Sequence, residues 1–346
     1  MGALPQPGSR VEVLIASPLE DELVQHIVDC DPRLRVTYRP DLLGTPRYPA
    51  DHHPKVDRTP QQAAEWTDLL ACAEVMFDVD QPSTEGLLKR APRLRWIQSS
   101  SSGIGEWVRR LGLVESPITV TNAAGIHAAP LAEFVVFAML YFARRWPRMV
   151  QEQRAHHWER CAIETLHGKT LGIVGLGRVG QHIACMAKPF GVRVIGTRRS
   201  ASAIDGIDRV YAPNELSQVL QLSDYLVLIV PLTSETRALI GAQELAQLKS
   251  TAVLINIARG AVLDESALVE ALRDGRIAGA ALDVVAHEPL ASDSPLWDMP
   301  NVLITPHSMS TAHDENARLV ELFCDNLGRY LNSQPLRNQI DKVRGY

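Results

Sequence analysis

The residues whose spacing first suggests chemistry are three glycines. The run Leu171-Gly172-Ile173-Val174-Gly175-Leu176-Gly177-Arg178-Val179-Gly180 reads G-x-G-x-x-G after a short apolar stretch. Gly175 permits a tight turn, Gly177 lets the backbone approach a pyrophosphate, and Gly180 lets the following helix pack closely on the preceding strand. A helix starting at Arg178 and Val179 offers unpaired N–H groups and the positive end of its dipole to phosphate oxygens. This turn is the signature of dinucleotide binding. About twenty residues farther on, an acidic side chain would hold a ribose 2′-hydroxyl. The chain has Gly196-Thr197-Arg198-Arg199-Ser200 there. Guanidinium groups suit a 2′-phosphate, which Arg grips bidentately. The reading therefore favours NADP, with NAD as the alternative. A solvated basic turn is the plainer explanation of the same residues.

Three more segments place ionisable groups just past apolar runs of strand length. Arg259 follows Val253–Ile257, Glu288 follows Gly279–Leu282 through Asp283-Val-Val-Ala-His, and His307 follows Val302–Thr305. Open parallel sheets bind ligands at such strand ends. Each residue alone has a bland explanation, as a surface Arg, a loop Glu before Pro289 or a structural His.

These residues need elements to position them. Strands are predicted at Val11–Ala16, Ala73–Asp78, Leu94–Ser99 and Ile118–Asn122, with a helix over Glu20–Asp29. Pro40–Pro60, rich in Pro, His and Asp, reads as a long loop, and His52 and His53 within it are given no role. A helix is predicted over Pro130–Ala143, with Pro130 in its first turn. Arg144–His167, containing Trp146 and Trp158, reads as an exposed arm. From Thr170 onward, strands at Leu171–Val174, Val192–Ile195, Tyr225–Val230, Val253–Ile257, Gly279–Leu282 and Val302–Thr305 alternate with helices at Val179–Lys188, Asn214–Gln221, Ala242–Leu248 and Glu265–Asp274. Short, wholly apolar strands are buried on both faces, as in a doubly wound α/β sheet. Thr311–Leu331 reads as one amphipathic helix returning to the N-terminal half.

Composition narrows the class. The 346 residues are 46% apolar and 22% charged, with a net charge of −5. That is a globular composition with room for two domains, and it offers no basic footprint for nucleic acid or a membrane surface. Residues 1–10 lack the apolar core of a signal peptide, and Gln6 stands where an acylation signal requires Ser or Thr. The longest apolar run, Phe134–Ala143, is too short for a bilayer. The expected location is the cytoplasm. Cys30, Cys72, Cys161, Cys185 and Cys324 are odd in number, far apart and without a C-x-x-C pair. They read as small buried hydrophobes, with neither a disulfide framework nor a metal site.

Taken together, the motifs resemble the D-isomer-specific 2-hydroxyacid dehydrogenase family over about Pro92 to Leu331. The segments that carry the likeness are Thr121–Glu133, the glycine turn, Val230–Thr236, Ile257–Gly260, Asp283–Pro289 and Thr305–His307, and the glyoxylate and hydroxypyruvate reductase branch looks most similar. The resemblance implies a Rossmann cofactor domain (123–311) and a flavodoxin-like substrate domain (1–122 with 312–346), with the active site in the cleft between them. It implies that Arg259 holds the substrate's carboxylate and keto oxygen and that His307 exchanges a proton with the carbonyl oxygen. Glu288 would orient the imidazole and raise its pKa. Backbone N–H groups of Ser102 and Gly103 would bind the carboxylate, and Pro231, Thr236, Ala258 and Asp283 would join the glycine turn around the cofactor. The partner would be a small 2-oxo acid, and the assembly a homodimer through the apolar helix and its arm. Two departures stand out: Arg198 in place of the usual acid, and Ser308, Met309 and Ser310 where relatives carry smaller residues, which predicts a narrower pocket. Two alternatives remain at this point, an oxidoreductase of the same fold acting on formate or phosphite, and a dinucleotide-sensing corepressor without turnover.

Overall fold

A computed structural model describes residues 10–79, 86–200 and 202–345. The leader and acylation readings of residues 1–9 lie outside the described residues. The chain divides into two compact units, Met1–Ile126 with Thr311–Tyr346, and His127–Ser310.

The first unit holds β1 (Val11–Ile15), α1 (Asp21–Asp29), β2 (Leu34–Tyr38), α2 (Pro60–Cys72), β3 (Val75–Phe77), α3 (Leu87–Arg90), β4 (Trp96–Gln98), α4 (Gly105–Arg110) and β5 (Thr119–Thr121). Its five parallel strands lie in the order β2-β1-β3-β4-β5, the flavodoxin-like arrangement. The long helix Glu315–Leu331, α11 below, returns to cover one face of this sheet. Leu319, Val320, Phe323 and Leu327 pack there with Val13, Ile15, Phe77 and Trp96. The contact is also registered by polar groups. Buried Asn326 donates to the Gln98 side chain and to Arg337 O, and accepts from Arg337 N at 2.7 Å.

The second unit holds α5 (Ala128–Ala143), α6 (Trp146–Arg154), β6 (Thr170–Val174), α7 (Arg178–Ala187), β7 (Arg193–Thr197), β8 (Arg209–Tyr211), α8 (Leu216–Leu222), β9 (Tyr225–Leu228), α9 (Ala242–Leu245), β10 (Val253–Asn256), α10 (Glu265–Arg273), β11 (Gly279–Leu282) and β12 (Val302–Ile304); α11 follows in the chain. Seven parallel strands run β12-β11-β10-β9-β6-β7-β8. Counted from β6 this is the Rossmann order with a seventh strand added. Every residue of β6, β9, β10 and β11 is buried, because apolar layers cover both faces.

Three expectations need correction. The Arg144–His167 arm begins as helix α6, with Pro147 in its first turn and no buried residue; its apolar face, Trp146, Met149 and Val150, spans only nine residues, too short a stretch for its period to stand out. Strands β2 and β8 escaped notice, since β2 is half-exposed and β8 has only three residues. The cysteines are not five buried hydrophobes. Cys30 and Cys324 form a disulfide with Cα atoms 6.2 Å apart across 294 positions of sequence, and Cys72 and Cys185 are exposed. Separation in sequence concealed a pair that only the return of α11 onto α1 brings together.

Candidate active site

The second unit's sheet sets its functional side chains in a row, because parallel strands all end on one edge. Along that edge come His307 after β12, Glu288 after β11, Arg259 after β10, the Pro231–Thr236 loop after β9, the glycine turn after β6 and Arg198 after β7. Between β9 and β6 the strand order reverses, and open α/β sheets take ligands at such a point.

The glycine turn has the shape its spacing implies. Gly175 lies at φ +115°, and a Cβ there would meet Ile229 O at 2.6 Å. At Gly180 a Cβ would stand 2.3 Å from Gly175 O, whereas at Gly177 it would meet nothing within 4 Å. Two glycines are thus required by packing and one faces open space. No side chain of Gly177 caps the start of α7, and the first-turn N–H groups of a helix are the ones that bind anions. Val179 turns its side chain onto the core and Arg178 is exposed. Past β7, buried Thr197 gives way to exposed Arg198 and Arg199. Arg198 N donates to Tyr211 O at 3.0 Å, and the Arg199 guanidinium lies 3.7 Å from Glu235. The Thr236 hydroxyl donates to Pro231 O at 2.6 Å and accepts from Thr233 N, closing the loop after β9.

At the other end of the row, His307 Nδ1 and Glu288 Oε2 are 2.8 Å apart. Burial alone pushes the Glu288 carboxyl up. The hydrogen bond and charge of His307, Val285 N–H and the nearby Arg259 guanidinium outweigh it, holding the carboxyl below its ordinary value. An ionised Glu288 accepts, so Nδ1 carries the proton it donates, and Nε2 is the ring nitrogen that this pairing does not use. His307 itself sits at φ +54°, a region non-glycine residues seldom adopt. Asp283 holds it there. Asp283 O accepts from His307 N at 2.8 Å, and one carboxylate oxygen accepts from Thr305 Oγ1, Ser308 N and Met309 N. The resemblance implies a place beside the cofactor for Asp283, and its buried carboxylate accepts the hydrogen bonds of the His307 turn. Met309 packs on the hydrophobic layer beneath, which anchors this turn as well.

Sequence reasoning missed two supports of Arg259. Buried Asn256 accepts from Ala258 N at 3.1 Å and fixes the bend in which Arg259 Nη1 donates to Ala258 O at 2.7 Å. Gly260 presses on the Glu288 loop so tightly that a Cβ would lie 1.8 Å from Val285 O. An asparagine ending the apolar run Val-Leu-Ile-Asn was the available signal for the first.

In the first unit, Ser102 and Gly103 follow β4. Ser101 N donates to Ser99 Oγ and Asn122 Nδ2 donates to Ser102 O at 2.9 Å, while the Ser100 hydroxyl bonds the buried Asp78 carboxylate. The serine run is therefore a braced turn. His52 of the long loop donates to or accepts from Ser17 Oγ at 2.8 Å. The loop is tied down further by Asp51, whose carboxylate takes Arg47 N, Nε and Nη2.

Comparison with known proteins agrees with this geometry. Residues 136–308 match the family model for D-isomer specific 2-hydroxyacid dehydrogenase, NAD binding domain. A glyoxylate reductase of Aeropyrum pernix is 37% identical over 270 residues, which is 74% of this chain and 79% of the relative. The glyoxylate/hydroxypyruvate reductase B of Klebsiella pneumoniae is 33% identical over 296 residues, 82% of this chain and 89% of the relative. Among solved structures, a D-isomer specific 2-hydroxyacid dehydrogenase from Xanthobacter autotrophicus, in complex with NADPH and MES, superposes with a TM-score of 0.79. It is 31% identical, over 98% of this chain and all of that one.

Proposed function

The chain belongs to the D-isomer specific 2-hydroxyacid dehydrogenase family, and on that premise we propose a reductase that moves a hydride from NADPH to a small 2-oxo acid of the glyoxylate or hydroxypyruvate type. The observation that carries the reading is the His307–Glu288 pair at 2.8 Å on the same sheet edge as Arg259 and an unobstructed Gly177 turn.

When bound, the nicotinamide dinucleotide supplies the hydride. Gly175, Gly177, Gly180 and the α7 N–H groups of Arg178 and Val179 hold its pyrophosphate, with Pro231, Thr236 and Ala258 alongside. Arg198, with Arg199, takes the 2′-phosphate, the feature that favours NADP over NAD. Arg259 grips the substrate's carboxylate and draws electron density toward the keto oxygen. His307 Nε2 gives that oxygen its proton, and Glu288 keeps the imidazole in the tautomer and orientation that make this possible. Ser102 and Gly103 N–H groups serve as a further carboxylate anchor. Asp283 acts through the turn it braces and is a positioning residue. The enzyme works as a cytoplasmic homodimer in this reading, for which the exposed Phe137, Trp146 and Trp158 supply an apolar surface.

The test is a comparison of NADPH and NADH oxidation with glyoxylate, hydroxypyruvate and pyruvate, with formate and phosphite assayed in the reverse direction. Rapid turnover of a 2-oxo acid with NADPH supports the proposal. Nucleotide binding without turnover would point to a sensor, and activity on formate or phosphite alone would overturn the substrate class.

A further inference from the structure

Away from the sheet edges, His26, Cys30 and Cys324 bring one imidazole nitrogen and two sulfurs within 4.8 Å of one another. His26 lies in the last turn of α1 and Cys30, four residues on, is its C-cap in helical conformation, so the two lie on one face a single turn apart. Cys324 comes from α11, and buried Ile27, Val320 and Phe323 pack in the core beside them. The three donors thus stand on two helices that a shared core holds in register. Zinc–sulfur bonds of about 2.3 Å and zinc–nitrogen bonds of about 2.0 Å put donors roughly 3.5 Å apart in a tetrahedron. The two sulfurs are joined as a disulfide with the imidazole nitrogen inside the same 4.8 Å limit, so opening that bond lets the sulfurs part to the tetrahedral spacing, and two thiolates with one imidazole are a donor set that suits zinc.

We propose that this cluster is a thiol-gated zinc site, with the Cys30–Cys324 disulfide as its metal-free, oxidised form. A cellular dithiol opens the disulfide by exchange. It becomes a disulfide itself, and Cys30 and Cys324 each receive one of its protons. Zn(II) then displaces both thiol protons, giving a centre of two thiolates and His26 whose net charge is zero, with water in the fourth position. In either state a bond joins α1 to α11, so the first unit keeps its clasp while the redox state decides whether it carries a metal. The inference is independent of the hydride chemistry, whose residues belong to other segments.

The test uses full-length protein carrying C72S, C161S and C185S, which removes the other thiols, reduced with dithiothreitol and freed of it under nitrogen. Titration with Co(II) should give one equivalent bound with the intense visible bands of tetrahedral sulfur ligation, displaced by one equivalent of Zn(II). C324S should abolish the bands, and H26A, a change on an exposed helix face, should shift them and weaken binding. Oxidised protein should bind neither ion. No stoichiometric binding by the reduced protein, or bands unchanged by both C324S and H26A, would overturn the proposal. If the triple variant does not fold, wild type against C30S/C324S gives the same reading, with equal binding by the two as the refuting result.

Discussion

At the scale of single residues, the charge and bond pattern around His307 makes distinct expectations for its neighbours. If His307 is the proton donor as proposed, H307A should lower turnover by about 10²–10⁴-fold, measured under saturating NADPH and substrate, while dinucleotide affinity stays near that of the wild type. Near-normal turnover would remove His307 from the mechanism. On the proposed reading R198A loses a charge-assisted bond to the 2′-phosphate, and such bonds contribute about 1.5–3 kcal/mol. The KM for NADPH should rise roughly 10- to 100-fold with that for NADH little changed. An equal loss for both nucleotides would assign Arg198 to something other than the 2′-phosphate.

At the scale of elements, the loops carry their loads through backbone contacts that few substitutions can respect. G260A would drive a Cβ into Val285 O. Overpacking typically costs about 1–3 kcal/mol, and here it displaces Arg259 from the Glu288 loop, so both the urea midpoint and turnover should fall. A variant with native stability and activity would mean that this approach is looser than the structure has it. The long loop before α2 has its own anchor in Asp51. The Arg47 guanidinium, aided by the backbone N–H groups of Arg47 and His53 and opposed by burial, lowers the Asp51 pKa to about 2. A carboxylate with a depressed pKa stabilises the fold above its unfolded value near 3.8 and loses that effect as pH falls toward 2. D51N should therefore cost about 2 kcal/mol at pH 7, and the gap to wild type should close between about pH 4 and 2. A gap independent of pH would show that shape and not charge matters at Asp51. These loops also mark where the sequence stops being readable. The glycine turn and the apolar strands β6, β9 and β10 were visible because local periodicity encodes them. Helix α2 was overlooked, although Thr59-Pro60-Gln61-Gln62 forms a capping box with Gln62 N donating to Thr59 Oγ1. That signal was present in the letters. Asp283 is different: its hold on Ser308 and Met309 spans 25 and 26 residues, and only the pairing of β11 with β12 sets them side by side.

For the whole molecule, the two units differ in how the chain supplies them. The second is one continuous stretch whose apolar layers draw only on residues 131–309. The first needs α11 from the far end of the sequence to cover Phe77 and Trp96. A fragment of residues 127–310 should fold alone and bind NADPH, seen as a nucleotide-dependent rise in melting temperature. Residues 1–126 alone should be insoluble or lack cooperative melting, and adding 311–346 as a peptide should restore it. A cooperatively melting 1–126 fragment would show that α11 is an accessory rather than a core component.

The divided origin of the first unit also has a bearing on synthesis. A ribosome finishes β1 to β5 early, then makes the whole intervening stretch before Leu319 and Phe323 emerge. During that interval the nascent sheet lacks the α11 side chains that complete the cover over Phe77 and Trp96, while the later-made portion acquires its own core. Slow codons between Ile126 and Thr311 should therefore lengthen the window in which the early-made sheet can aggregate.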